Sequence, residues 1–198
     1  MACLVTTGIV LTTPMWMPVV IGRRLGRRER YFLSCAQVLS LAPGLLGRSL
    51  RVGFYVMCLD HCGWDCNIGF GTVISHLGAT IGAGVYIGHS CSVGVCAIGD
   101  RTLIGSNVDI LSGRHHHVDG GSADLISRTT SLSQVRIGKD AWVGNSAVVM
   151  ADVGDQTIIG AGSVVVRPIP AGMVAVGNPA TVKKQRTASG EEVGEPRA

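Results

Sequence analysis

Large aromatic rings are scarce in this chain. Of its 198 residues only 5% are aromatic, three each of Trp, Tyr and Phe, although 46% are hydrophobic. A core without rings must be filled by small and β-branched aliphatics, and with 28 glycines the composition excludes a conventional ring-packed core in favour of short strands with many turns. Charge of one sign is also lacking: the formal net charge is only +4. The basic residues gather in Arg23 to Arg30 and Lys183 to Arg186 and form no broad face, so no nucleic-acid partner is expected.

No CxxC pair occurs. The seven cysteines are an odd number, and Cys91 and Cys96 stand where small apolar residues otherwise recur, which suits free buried thiols in a reducing cytoplasm better than a disulfide framework. Cys58, Cys62 and Cys66 follow one another at gaps of four, a spacing that matches no standard zinc pattern, and no metal is expected. A cleavable signal is missing as well, because Leu4 to Ile21 carries four threonines and two prolines and no small-residue cleavage site. Pro14 and Pro18 also break this stretch as a bilayer span. It reads as an interfacial anchor in peripheral contact with the inner membrane face, or equally as a segment packed on the rest of the protein or on another subunit.

What the chain has in abundance is a period of about six. An aliphatic residue followed by glycine recurs at Ile68-Gly69, Ile81-Gly82, Ile87-Gly88, Val93-Gly94, Ile98-Gly99 and Ile104-Gly105, then at Ile137-Gly138, Val143-Gly144, Val153-Gly154 and Ile159-Gly160. Ile74, Ile110, Val149 and Val165 fill the gaps. An amphipathic helix would repeat at three and four and a simple strand at two, so neither explains it. A coil of short strands does: the aliphatic side chain points inward, glycine lets the backbone turn, and stacked coils share hydrogen bonds. The steps near Thr80, from Val93 to Ile98 and from Val149 to Val153 depart from six and read as turn adjustments.

This gives a mainly β protein in three parts. Residues 1–52 form an apolar, basic helical segment, 53–182 a parallel β-helix with hexads from Phe54 onward, and 183–198 a basic, then disordered tail. One long loop, 111–136, interrupts the hexads and contains His115, His116 and His117 among glycines, serines and threonines. A long loop inside a compact repeat is usually functional. An imidazole titrating near pH ~6.5 can both take up and release a proton near neutral pH, as a general base and then a general acid must.

The segment V-R-I-G-K-D-A-W-V-G-N-S-A-V-V-M, followed by I-I-G-A-G-S-V-V-V-R-P-I-P-A-G-M-V-A-V-G-N-P-A, closely resembles the C-terminal coils of the maltose, galactoside and polysaccharide O-acetyltransferases of the hexapeptide-repeat acyltransferase superfamily. The resemblance implies a left-handed β-helix and a homotrimer whose sites lie between subunits. It implies acetyl-CoA or another acyl-CoA as co-substrate and transfer to a hydroxyl of a sugar, glycan or related acceptor. The base would be a loop histidine: alignment with members ending the motif in Gln-His selects His117, which we prefer, and alignment with His-x-x-Asp selects His116. Asp109 or Asp119 would hold its tautomer, a task a backbone carbonyl can also perform.

By the same resemblance the amide of Asn145 is the oxyanion donor. Trp142, Gly144, Ala161, Gly162, Ser163, Arg167, Asn178, Pro179, Lys183 and Lys184 would bind the coenzyme: Trp142 packs at the subunit cleft or shapes the pantetheine channel, Ala161, Gly162 and Ser163 line the pantetheine arm, and Asn178, Pro179, Lys183 and Lys184 lie toward the coenzyme's far end. Ala151-Asp152-Val153-Gly154 is about two residues shorter than the usual turn, Val166 replaces a common threonine, and the sugar-binding residues have no match. Two other classes compete. One is a metal-dependent β-helix enzyme resembling the γ-type carbonic anhydrases, whose His-x4-His pattern His76, His89 and the histidine tract do not reproduce. The other is a non-catalytic scaffold.

Overall fold

The computed structural model describes residues 2–21, 28–112 and 133–186. Four helices come first: α1 (Ala2–Leu11), α2 (Thr13–Ile21), α3 (Arg28–Ser40) and α4 (Gly44–Cys58). A parallel β-solenoid of five coils follows. The first coil holds β1 (His61–Cys62), β2 (Asn67–Ile68) and β3 (Val73–Ile74), and the second β4 (Thr80–Ile81), β5 (Tyr86–Ile87) and β6 (Ser92–Val93). The third holds β7 (Cys96–Ile98), β8 (Leu103–Ile104) and β9 (Asp109–Ile110), and the fourth β10 (Val135–Ile137), β11 (Trp142–Val143) and β12 (Val148–Val149). The fifth is an isolated bridge at Val153 with β13 (Ile158–Ile159) and β14 (Val164–Val165). A bridge at Ile169, β15 (Met173–Val176) and the antiparallel β16 (Thr181–Gln185) close the end.

Stacking the coils generates three sheets: A from β1, β4, β7 and β10, B from β2, β5, β8, β11, β13, β15 and β16, and C from β3, β6, β9, β12 and β14. The register puts like on like. Ile68, Ile87, Ile104, Val143, Ile159 and Ala175 stack inside sheet B, and Ile74, Val93, Ile110, Val149 and Val165 inside sheet C. All eleven are buried to within 1%. Each such aliphatic contributes roughly 1.5–3 kcal/mol by leaving water, which is how a core with few rings holds. The hexad glycines are required by close approach: a Cβ on Gly144 would lie 2.5 Å from the Ala161 nitrogen of the next coil.

The solenoid starts later than the boundary at residue 52 implies. Phe54 and Tyr55 belong to α4, which runs to Cys58, and the first strand begins at His61. These residues are helical because their rings plug the open end of the column. Phe54 packs against Phe32 at 5.5 Å and Tyr55 at 5.6 Å, and the Ile74 N–H donates to the Tyr55 hydroxyl at 3.0 Å. The buried Arg51 fastens the helices to the first coil by donating to the carbonyls of Ile68, Leu39 and Ala42. At the other end Lys183 and Lys184 lie within β16 and pair with β15, so the boundary at 182 falls inside a strand. Likewise Val135 and Arg136, placed in the loop on sequence, form β10.

Candidate active site

The corner between sheets B and C is built from one repeated turn. Its first position is Gly69, Gly88, Gly105, Gly144 and Gly160, and its second Phe70, His89, Ser106, Asn145 and Ala161. At the third, Gly71, Ser90, Asn107, Ser146 and Gly162 have φ of +75°, +55°, +56°, +58° and +67°, the left-handed conformation that lets the chain turn. The N–H at this third position donates to the second-position carbonyl of the coil before: Ser90 to Phe70, Asn107 to His89, Ser146 to Ser106 and Gly162 to Asn145, at 2.8–2.9 Å.

The second-position N–H groups point the other way, and each is capped by a side chain of the following coil. Phe70 donates to His89 Nδ1 at 3.2 Å, His89 to Ser106 Oγ at 3.1 Å and Ser106 to Asn145 Oδ1 at 2.9 Å. The next rung breaks the series. Opposite the Asn145 amide stands Ala161, whose methyl cannot accept, and opposite Ala161 stands Gly177, which has no side chain at all. Among the described residues, no side chain therefore caps the backbone N–H groups of Asn145 and Ala161, two exposed residues about one strand spacing (~4.8 Å) apart.

Most of the residues expected for the coenzyme converge here. Gly144 opens the turn, and Gly162 and Ser163 complete the last one, with the buried Ser163 Oγ accepting from the Gly177 N–H at 3.1 Å. The Gly177–Ala180 turn, which includes a cis Asn178–Pro179 peptide, lies over β14: the Val164 N–H donates to the Gly177 carbonyl and the Ala180 N–H to the Val164 carbonyl. Trp142 stands just before the corner on the outer face of sheet B, 52% exposed, between Leu103 and Ile158. Lys183 and Lys184 are exposed at the terminal edge of the same sheet. Arg167 is not brought to this corner. It follows β14 on the way from sheet C to sheet A, because the Val166-Arg167-Pro168 turn starts a new side of the prism.

His116, His117, His115 and Asp119 lie outside the described residues. Their segment is anchored at both ends. On one side Ser112 is buried and its Oγ accepts from the Val95 N–H at 2.8 Å; on the other, Gln134 Nε2 donates to the Gly78 carbonyl at 3.4 Å and Val135 enters β10. The segment thus leaves from the corner between sheets C and A, at the opposite end of sheet C from the open amides. Asp109 is exposed on the outer face of sheet C beside Ser92 and Val148.

Cys35, Cys58, Cys62, Cys66, Cys91 and Cys96 are free thiols, and all but Cys62 are buried. Burial pushes the Cys58 and Cys96 thiols up to about 12. Cys62 and Cys66 share a thiol hydrogen bond that raises the first and lowers the second. Among the described residues no three His, Cys, Asp or Glu are grouped as a metal ion would need. A cleft of about 580 Å³ on sheet A, lined by Gln134, Arg136, Lys139, Asp152 and Asp155 among others, lies away from the open amides.

The alternating sheets, the six-residue turn and the uncapped corner define a hexapeptide-repeat β-solenoid. No family model matches the chain. Proteins named as acetyltransferases stand among its relatives in sequence and its neighbours in fold. It is 40% identical over 131 residues to nodulation protein L of Rhizobium leguminosarum bv. viciae, covering 62% of this chain and 60% of that protein. To the galactoside O-acetyltransferase of Escherichia coli K12 it is 35% identical over 92 residues, 44% of this chain and 43% of the relative. The chain thus spans roughly half the length of these curated relatives. A crystal structure of a maltose O-acetyltransferase from Clostridium difficile 630 superposes with a TM-score of 0.69 at 25% identity, covering 83% of this chain and 89% of that one. A galactoside acetyltransferase in complex with coenzyme A superposes with a TM-score of 0.65 over 93% of this chain and 99% of that one, at 21% identity, a likeness of fold.

Proposed function

We propose that the protein is an acyl-CoA-dependent O-acyltransferase, using acetyl-CoA and a hydroxyl of a sugar, glycan or related small acceptor. The observation that carries this reading is the run-out of the corner ladder at Asn145 and Ala161. N–H groups held rigidly by stacked coils need no reorganisation to receive charge, which is what the tetrahedral intermediate of thioester transfer requires. Glycine and alanine at 144, 160, 161 and 162 leave room for the narrow pantetheine arm to approach the backbone. Lys183 and Lys184, exposed just beyond, suit the coenzyme's phosphates.

This reading implies the following reaction. A loop imidazole, His117 in preference to His116, accepts the acceptor's hydroxyl proton as that oxygen bonds to the thioester carbon. The carbonyl oxygen gathers charge and is received by the Asn145 amide. The carbon–sulfur bond then breaks, the acyl ester leaves with the acceptor, and the imidazolium returns the proton to the CoA thiolate. No covalent enzyme intermediate is needed.

The histidine segment and the open amides depart from opposite ends of sheet C in one protomer, so a shared site is met most simply between neighbouring copies. The outer face of sheet B supplies a surface for this: Tyr86, Leu103, Trp142, Ile158 and Val174 stack in register as an apolar stripe. A homotrimer joined along it would set the loop of one copy beside the corner of the next.

The test is release of free CoA thiol from acetyl-CoA with a panel of sugar and small hydroxyl acceptors. The wild type turns over with at least one acceptor, and His117→Ala or His116→Ala lowers kcat by roughly 10²–10⁴-fold. Undiminished turnover in both variants contradicts the mechanism, and no binding of acyl-CoA by calorimetry would leave a scaffold.

A further inference from the structure

We propose that the outward face of α1 and α2 docks this protein onto an anionic lipid bilayer. Residues 2–21 contain no charged side chain. Val5 and Gly8 in α1 and Thr12 just after it recur at helical spacing and are buried, whereas Leu4, Thr7, Val10 and Leu11 face out, with Val10 65% and Leu11 55% exposed. Ile21 at the end of α2 is 70% exposed. A second apolar cluster sits beside them: Leu45 lines one cleft together with Leu4 and Arg48, and is 70% exposed. Water against so much apolar surface is unfavourable, so the face calls for an apolar occupant.

Charge selects which occupant. Residues 1–51 carry seven arginines and one acid, Glu29, so this segment is formally +6 in a chain whose total is +4. Arg28 is tied to the apolar pair itself, its Nε donating to the Val19 carbonyl at 2.9 Å, and the exposed Arg30 follows it in the first turn of α3. A second copy of this face would bring like charges together, Arg28 and Arg30 against their own counterparts. An anionic bilayer accepts the apolar side chains and attracts the arginines together.

The face is presented on the surface and does not span. No single helix among the described residues is long and apolar enough to cross a membrane, and α1 and α2 meet at 68°. The bend is built in: Thr12 turns back so that its Oγ1 donates to the Gly8 carbonyl at 2.7 Å, and Pro14 and Pro18 remove two backbone donors. Gly8 and Gly53 let α1 and α4 touch backbone to backbone. A Cβ at Gly8 would collide with the Ser49 carbonyl oxygen, and one at Gly53 would lie 2.5 Å from the Ile9 nitrogen. A helix locked this closely to the solenoid cap cannot leave it to insert end-on.

The test is sedimentation of the full chain with phosphatidylcholine vesicles, with and without about 30% phosphatidylglycerol. We expect at least tenfold more protein on the anionic vesicles and loss of that excess at high salt. Val10→Asp with Leu11→Asp should lower binding more than tenfold with an unchanged circular dichroism spectrum, and Arg30→Gln about fivefold. The readout needs no catalysis, so it is independent of the proposed acyl transfer. Equal binding by the Asp variant, no binding to either vesicle, or light scattering that shows Val10- and Leu11-dependent pairing of assemblies overturns the proposal.

Discussion

The Oδ1 atom of Asn145 accepts the backbone N–H of Ser106 at 2.9 Å, so this side chain closes the rung below while its own amide stays open above. Side chain and backbone of one residue therefore do different jobs. Asn145→Ala should cost about 1 kcal/mol through the lost cap and lower the Tm by roughly 2–4 °C. Because the amide remains, kcat should fall by less than about tenfold, a small change beside the loss expected of an oxyanion donor. Abolished turnover at native stability would falsify the division of labour and move the chemistry to the side chain.

Gly144 lies directly beneath the open amide of Ala161, and a methyl carbon added at Gly144 would stand only 2.5 Å from that nitrogen. Gly144→Ala should push the last two coils apart, costing on the order of 1–3 kcal/mol as overpacking does. Thermal unfolding and KM for acetyl-CoA should both worsen. A variant with wild-type Tm and KM would mean that the turn has slack which the stacking denies.

Arg51 is 2% exposed and donates to three carbonyls of α3, its following turn and the first coil. Burial lowers its pKa, yet the guanidinium keeps its charge because arginine starts so high. Arg51→Met fills similar volume but leaves those carbonyls unpaired, so stability should fall by roughly 3 kcal/mol. Denaturant melts report it directly; an unchanged midpoint would show that water replaces the guanidinium.

Across the loop insertion, coils three and four are joined at the surface by Arg101 and Asp140, which meet in a two-pronged pair at 2.7 Å. The hydrogen bond from Arg101 holds the Asp140 carboxyl below its usual range. A carboxylate lowered in the folded state stabilises at neutral pH, and this is lost as pH falls through the ordinary carboxylate range near ~4 and on to the lowered value. Arg101→Gln should flatten that part of the acid limb in a plot of Tm against pH. An identical acid limb in both proteins would show that solvent screens the pair completely.

The solenoid was readable because each coil must bury an aliphatic and bring a bare backbone past its neighbour. Both demands write themselves locally, as Ile or Val followed by Gly. The helical cap was less legible: Phe54 and Tyr55 are apolar in either setting, and only contacts with Phe32 and Ile74, distant in sequence, make them helical. Lys183 and Lys184 looked like a solvated tail because antiparallel pairing with β15 leaves no pattern in an exposed strand.

At the site, resemblance pointed to Asn145, Ala161 and Gly162, and the fold brings them to one corner. What no linear reading supplies is the capping series through His89, Ser106 and Asn145, since its partners stand 17 to 39 residues apart. That register also explains why Ala161 matters: it is the first rung with nothing to offer. Arg167 falls on another side of the prism for the same reason, as one turn in a coil of three separates it from the corner.

The most direct test is to lengthen the ladder by one rung. Ala161→Asn would place an amide oxygen opposite the Asn145 N–H, as Asn145 itself does for Ser106. With the fold intact by circular dichroism and thermal melting, kcat for acetyl transfer should fall by roughly 10²–10³-fold. Full turnover in this variant, with its side chain seen on the Asn145 amide, would contradict the account.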